Sequence, residues 1–317
     1  MNPELIGWVV FATVVPTMLA LDLLVFNRRP HVLSLREASA WVTVWVSLGL
    51  GFGALVFATR GTVSGTEYLT GYLLEYSLSM DNVFVFAMLF AYFGVPPENR
   101  HRLLYWGVMG AIVFRAIFIV GGTVLLETFH FLVYALGGLL VYTGIKMATT
   151  KGEFGDPRKS RVVAAVRRLI PVTEDYRGNT FLTRENGKLV ATPMLVALAV
   201  VETSDIMFAI DSVPAVFAIT TDTFIVFTSN AFAILGLRSL YFLLAGLIDR
   251  FRYLKLGLGA ILVFAGAKML LSDVIHLPAL VSLGVILVIL AISIVASLVA
   301  TRGESSDPAV GPDVEPG

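Results

Sequence analysis

The chain has 317 residues, 57% of them hydrophobic and only 15% charged, with a mean hydropathy of +0.83. A soluble domain carries about 25% charged residues, so this composition excludes an ordinary soluble fold and points to an all-α polytopic membrane protein. The net charge is zero, which gives no reason to expect nucleic acid, and the absence of cysteine excludes disulfides, thiolate metal sites and cysteine redox chemistry.

In chain order, nine apolar segments reach spanning length, at about 5–26, 38–58, 66–94, 103–124, 129–148, 193–219, 223–248, 254–272 and 277–300. A helix crosses the hydrocarbon core in about 20 residues. The start, Met1-Asn2-Pro3-Glu4, lacks a basic region, so the first segment reads as a retained helix rather than a cleaved signal. Gly94-Val95-Pro96-Pro97-Glu98-Asn99 reads as a turn between the third and fourth segments. Trp8, Trp41 and Trp106 read as interface anchors, and His31, His101, His130 and His276 as loop residues rather than ligands.

Basic residues set the expected topology. Arg28, Arg29 and Arg36 follow the first segment, and Arg100 and Arg102 the third. Residues 149–192 carry nine lysines and arginines, from Lys151 to Lys188. Arg250, Arg252 and Lys255 follow the seventh segment and Arg302 the ninth. All fall on one side if the N-terminus is outside and the C-terminus is cytoplasmic, in a multi-pass protein of the plasma membrane. The expected organisation is two N-terminal helices (1–62), a first three-helix repeat (63–148), a basic cytoplasmic linker (149–192), a second repeat (193–272), a last helix (273–302) and a disordered tail (303–317). The linker holds either a short basic amphipathic helix near 160–169, lying on the membrane, or no fixed structure.

The repeat is legible at three places. Gly138-Leu139-Leu140-Val141-Tyr142-Thr143-Gly144-Ile145-Lys146-Met147 resembles Ala260-Ile261-Leu262-Val263-Phe264-Ala265-Gly266-Ala267-Lys268-Met269. Arg115 matches Arg238, and Asp81 matches Asp205, at nearly the same offset. Each unit has three helices, an odd number, so the expected relation is an inverted pair of repeats with a site between them at mid-membrane.

The charged residues inside the apolar runs are the candidate site. A charge at bilayer depth costs at least about 2.5 kcal/mol on the mildest insertion scale, so such residues face the bundle interior. Glu202, Asp205 and Ser212 follow steps of three and seven and share one helical face, whereas Asp211 falls off it. Pro214 removes the hydrogen bond to Ile210, so the helix is expected to kink or open near Asp211. In the first repeat Glu75 shares a face with Ser79 and Asn82, beside Asp81. A structural reading pairs these acids with Arg115 and Arg238 to hold the bundle together. Five acids, Glu75, Asp81, Glu202, Asp205 and Asp211, outnumber the two arginines, which favours a function. With Asn82, Ser212 and Thr203 they offer oxygen ligands, which suit a hard divalent cation such as Mg, Ca or Mn. Crowded carboxylates also bind protons, as a cation–proton exchanger requires. Arg115 and Arg238 are the expected gating or ion-pair residues. Lys146 and Lys268 read as snorkelling side chains, and Asn230 as an interhelical hydrogen-bonding residue.

These motifs resemble the TerC family of integral membrane proteins, named for tellurium resistance. The resemblance rests on Leu21-Asp22-Leu23 with Val25-Phe26, His31, Ser34 and Glu37-Ala38, on Glu75-Tyr76-Ser77-Leu78-Ser79-Met80-Asp81-Asn82-Val83-Phe84, and on Glu202 through Ala215. It implies a transporter related to exporters of the lysine-exporter type, with Mn²⁺ efflux in several members and tellurite resistance in others. It implies a metal pathway through Glu75, Asp81, Asn82, Glu202, Asp205, Asp211 and Ser212. The leading expectation is a proton-coupled exporter of Mn²⁺ working by alternating access. Its partners would be the cation, protons and the bilayer, with no permanently bound cofactor, and a homodimer remains open. The competing expectations are a membrane scaffold of a tellurite or metal-stress complex, docking partners on the linker, and an amino-acid exporter. No nucleophile–base pair or cofactor fingerprint suggests an enzyme.

Overall fold

The computed structural model describes residues 3–21, 34–129, 131–149, 161–185, 187–244, 253–275 and 277–304. Asp22, His31, His130, His276, the basic residues between 150 and 160, Arg250, Arg252 and the tail from 305 lie outside the described residues. The elements are α1 (Pro3–Leu21), α2 (Leu35–Tyr92), α3 (Pro97–Thr128), α4 (Phe131–Thr149), α5 (Arg161–Leu169), β1 (Leu182–Glu185), β2 (Lys188–Ala191), α6 (Pro193–Phe217), α7 (Thr223–Leu235), α8 (Leu237–Leu244), α9 (Leu254–Leu270) and α10 (Ala279–Glu304).

Among the described residues, five helices are singly long and apolar enough to cross a membrane, and α7 with α8, bent by 41°, makes a sixth. That is fewer than the nine expected crossings, for identifiable reasons. The expected spans 38–58 and 66–94 are two arms of α2, joined at Gly61. The apolar part of α1 is short, Leu5–Met18, and α9 has only 17 residues.

The α2 arms fold back on each other. Gly61 has φ 86° and ψ −180°, a conformation open only to glycine. Antiparallel packing follows. Gly49 and Gly53 of the first arm lie against the rings of Tyr72 and Tyr68 of the second, and the Tyr68 hydroxyl donates to the Gly49 carbonyl at 3.0 Å. α1 closes this face through aromatic side chains. Trp8, expected to anchor at the interface, packs edge-on to Phe224 of α7, and Phe11 packs against Phe52, Phe227 and Phe232.

The helix pairing that positions the site is set by α2 on α7 and α8, α3 on α6, and α4 on α9. Small residues let the backbones approach, the usual means of close packing where lipid removes the hydrophobic drive. In the α4–α9 pair the contacts are reciprocal. A Cβ on Gly137 would meet the Gly266 carbonyl at 3.0 Å, and one on Gly144 the Gly259 carbonyl at 2.6 Å. The pairing of low numbers with high ones makes the two helices antiparallel.

α6 stays helical through Pro214, with Ala218 N–H bonded to the Pro214 carbonyl at 3.0 Å. The expected opening near Asp211 is therefore absent. Proline at that position costs one bond, and packing on α3, α4 and α7 holds the rest of the turn.

Of the linker, residues 161–192 include a helix and a hairpin. α5 occupies the position expected for a basic amphipathic helix, but its apolar side, Val162, Val163 and Val166, packs on the protein core rather than facing lipid. β1 and β2 form an antiparallel hairpin. The preceding loop docks on the α2–α3 turn: Asn99 donates to the Gly178 carbonyl at 2.9 Å, Arg102 to the Asn179 carbonyl at 2.7 Å, and the Tyr176 hydroxyl to the Phe93 carbonyl at 3.0 Å. His101, expected in a loop, lies in α3, with its ring stacked on Phe242.

Gly144→Ala should lower the thermal stability of the purified protein by about 1–3 kcal/mol, the usual cost of overpacking. Gly138→Ala, where an added methyl meets nothing within 4 Å, should not. Equal melting temperatures for the two variants would contradict the close α4–α9 approach.

Candidate functional site

Four helices contribute one polar side chain each to a buried network. Glu75 comes from the second arm of α2, Arg115 from α3, Ser212 from α6 and Asn230 from α7. All four are at most 2% exposed. One guanidinium nitrogen of Arg115, Nη1, makes a close ion pair with Glu75 and also donates to Ser212 Oγ at 3.1 Å and Asn230 Oδ1 at 3.4 Å. Asn230 Nδ2 donates to the second oxygen of Glu75 at 3.0 Å. A charge buried this deeply persists only if paired and hydrogen-bonded, and here both carboxylate oxygens are engaged.

Around this core stand buried polar atoms without a hydrogen-bond partner. They are Asp205 Oδ2, Glu202 Oε2, Ser79 Oγ, Asn82 Nδ2 and Arg115 Nε. Asp205 is 3% exposed, two turns before Ser212 on the same α6 face, and within electrostatic reach of both Arg115 and Glu202. Glu202 lies against α3 at Gly110, where any Cβ would overlap its carboxylate. Ser79 and Asn82 continue the Glu75 face of α2 by one and two turns.

Not every expected residue joins this centre. Asp211 points to α4 instead, where Thr143 Oγ1 donates to its Oδ1 at 3.2 Å and Lys146 lies within electrostatic reach. The helical angle dictates this: with α6 unbroken, a residue six positions after Asp205 cannot share its face. Arg238 is buried in α8, just past the α7–α8 bend. Asp81 lies in α2, with its side chain outside the described residues. Among the described residues no three of histidine, aspartate and glutamate group closely enough to hold a metal ion. Asn230, expected to hydrogen-bond between helices, does so, to Glu75 and Arg115; sequence reasoning passed over Gly110. The signal for Asn230 was an amide inside the mostly apolar α7; Gly110 carried no such signal, because the side chain that needs its space belongs to another helix.

The arrangement is chemically a set of carboxylate, hydroxyl and amide groups neutralised by one arginine in a low-dielectric interior. A family model described as the integral membrane protein TerC family matches residues 60–305. The chain belongs to the TerC family. It is 48% identical to an uncharacterised membrane protein of Myxococcus xanthus, over 97% of this chain and 96% of that one. It is also 48% identical to a Salmonella typhi protein named as a candidate membrane-bound redox modulator, Alx, over 91% of this chain and 92% of that one. The Alx protein of Escherichia coli K12 is 46% identical over the same shares. No solved structure matches the chain. Both acidic motifs, Glu75 to Phe84 and Glu202 to Ala215, fall inside the region matched by the TerC model.

Arg115→Met would leave Glu75 buried without its counter-charge and should cost about 3–5 kcal/mol, as for other broken buried pairs. Glu75→Gln combined with Arg115→Met should recover most of that loss. A double variant no more stable than Arg115→Met, measured by thermal unfolding in detergent, would contradict the pairing.

Proposed function

We propose that this TerC-family protein exports a divalent cation, Mn²⁺ above all, from the cytosol by alternating access, with protons moving in exchange. The observation that carries the reading is the unpartnered Asp205 carboxylate oxygen beside the Glu75–Arg115 pair, at the crossing of four helices. Oxygen donors of this kind suit a hard cation. Arg115 holds the carboxylates in the empty state, and an entering cation takes over their charge. Asp205, Asp81 and Glu75 bind the cation as cargo, with Glu202, Asn82, Ser212 and Asp211 completing or relaying the site. Loss of the cation leaves crowded carboxylates that accept protons, which couples the two fluxes.

The helix pairing supports an inverted repeat. The first helix of each sequence repeat packs on the second of the other, α2 on α7 and α8, and α6 on α3, while the third helices, α4 and α9, pack on each other with reciprocal glycine contacts. Such exchange is what a pseudo-twofold axis produces, and in transporters it relates the two access states. The basic residues of the linker and the α2–α3 turn favour a cytoplasmic position for the hairpin, in the plasma membrane. The relatives' name as redox modulators is compatible with an effect exerted through a transported metal, since this chain has no thiol of its own.

The test is Mn²⁺ flux in proteoliposomes, with and without an imposed pH gradient, for the wild type and Asp205→Asn. Flux that follows the gradient and falls at least tenfold in the variant is expected. Wild-type vesicles that move no manganese, calcium or magnesium would overturn export and favour a scaffold acting through residues 161–192.

A further inference from the structure

The hairpin sits at the α2–α3 turn and the start of α6, so the last turns of α3 and α6 lie at the opposite end of the bundle. The start of α4 and, by the antiparallel pairing, the end of α9 lie there too. Between these ends is a cavity of about 490 Å³, bordered by Thr123 and Leu126 of α3, Phe217 of α6, Thr221, Lys268 of α9 and Ser272. An apolar groove of about 250 Å³ runs inward from it along the same helices. It extends from Leu126 to Ile117 on α3, from Phe217 to Ala209 on α6 and from Leu132 to Leu139 on α4. Leu126 and Phe217 border both spaces, so cavity and groove adjoin.

The two spaces differ in chemistry. Among the described residues lining the groove none is polar, and Ile117, Leu125 and Ile210 along it are exposed on the outside of the bundle. Between Ile117 and Leu126 the groove follows about 14 Å of helix, close to the depth of one leaflet, about half of a hydrocarbon core about 30 Å thick. At that depth hydrocarbon, not water, fills an apolar groove. Among the described residues lining the cavity, Lys268 carries the only charge. Lys268 was expected to snorkel. Instead it is half-buried and donates to Ser282 Oγ of α10 at 3.0 Å, which leaves two of its three N–H donors for a ligand. Glu67 accepts from Thr220 Oγ1 at 3.0 Å and does not line the cavity. One cation with the hydroxyls of Thr221 and Ser272, at the mouth of an apolar groove one leaflet deep, complements an anionic head joined to an acyl chain. We propose that the cavity and groove hold one anionic phospholipid of the leaflet facing away from the hairpin, with its phosphate on Lys268 and one acyl chain between α3, α4 and α6. Gly121 keeps the groove open: a Cβ there would meet nothing within 4 Å, whereas one on Gly122 would meet Phe217 at 2.7 Å. The lipid is a structural ligand, and its binding does not require cation export.

The test is native mass spectrometry of the full-length protein, delipidated in detergent and titrated with palmitoyl-oleoyl phosphatidylglycerol. The wild type should retain one lipid more tightly than any further ones. Lys268→Met should weaken that first binding about tenfold, the loss expected for one charge-assisted hydrogen bond, and Lys268→Arg should keep it. Gly121→Trp, which fills the groove without touching the cavity, should weaken it by a similar factor. Inorganic phosphate should not displace the lipid, and the matching diacylglycerol, which has no phosphate, should bind no better to the wild type than to Lys268→Met. If Lys268→Met does not elute as folded protein, Thr221→Asp sets a negative charge against the phosphate from outside the helices and should give the same loss. First-lipid affinity unchanged by the cavity variant or by Gly121→Trp would overturn the inference. A loss at Lys268 alone leaves an anion site with no acyl chain, a loss at Gly121 alone leaves a chain with no head contact, and displacement by phosphate leaves a free-anion site; each of these overturns it as well.

Discussion

The structure depends on burying the Glu75–Arg115 pair where four helices cross. Neither charge can be left alone there, since an unpaired ion in a dry interior costs far more than one bundle contact returns. The pair fixes the register of α2 against α3, and the bonds to Ser212 and Asn230 extend that register to α6 and α7. Replacing such a pair with well-packed apolar residues is often neutral or stabilising. Its presence is therefore not accounted for by stability alone.

Glycine provides the space for this arrangement. Gly61 turns α2 back on itself, and the resulting hairpin places tyrosine rings over Gly49 and Gly53. Gly107 and Gly110 let α3 lie close to α6, so that Glu202 rests on the α3 backbone rather than on another side chain. Gly137 and Gly144 do the same for α4 against Gly266 and Gly259 of α9. The central network is held by charge and the periphery by close backbone contact. Charge bonds specify one geometry, whereas the glycines set how closely the helices approach.

Residues 161–192 add a feature uncommon in a simple loop. The β-hairpin and α5 bridge the α2–α3 turn and the start of α6 through Asn99, Arg102, Tyr176 and Val163. They brace the ends of the same helices that carry Glu75, Arg115 and Asp205. Movement at one end of those helices is therefore mechanically linked to this module.

Much was determined by sequence alone. Apolar runs and sparse charge specify membrane helices, because lipid admits few other structures. The motifs that carry the TerC resemblance, and the shared face of Glu202, Asp205 and Ser212, follow from residue order and helical period. Other features depended on the tertiary structure. Pro214 reads as a helix break, yet neighbouring helices hold α6 intact, and this turns Asp211 toward Thr143 and away from Asp205. The expected spans 38–58 and 66–94 form two antiparallel arms that turn at Gly61, which adopts a conformation that sequence permits but does not require. An acid was the expected partner of Arg115, but which acid it meets, Glu75, was unreadable for the same reason. Sequence periodicity says which face of a helix a charge occupies, but only the packing of helices far apart in the chain decides which opposite charge it meets.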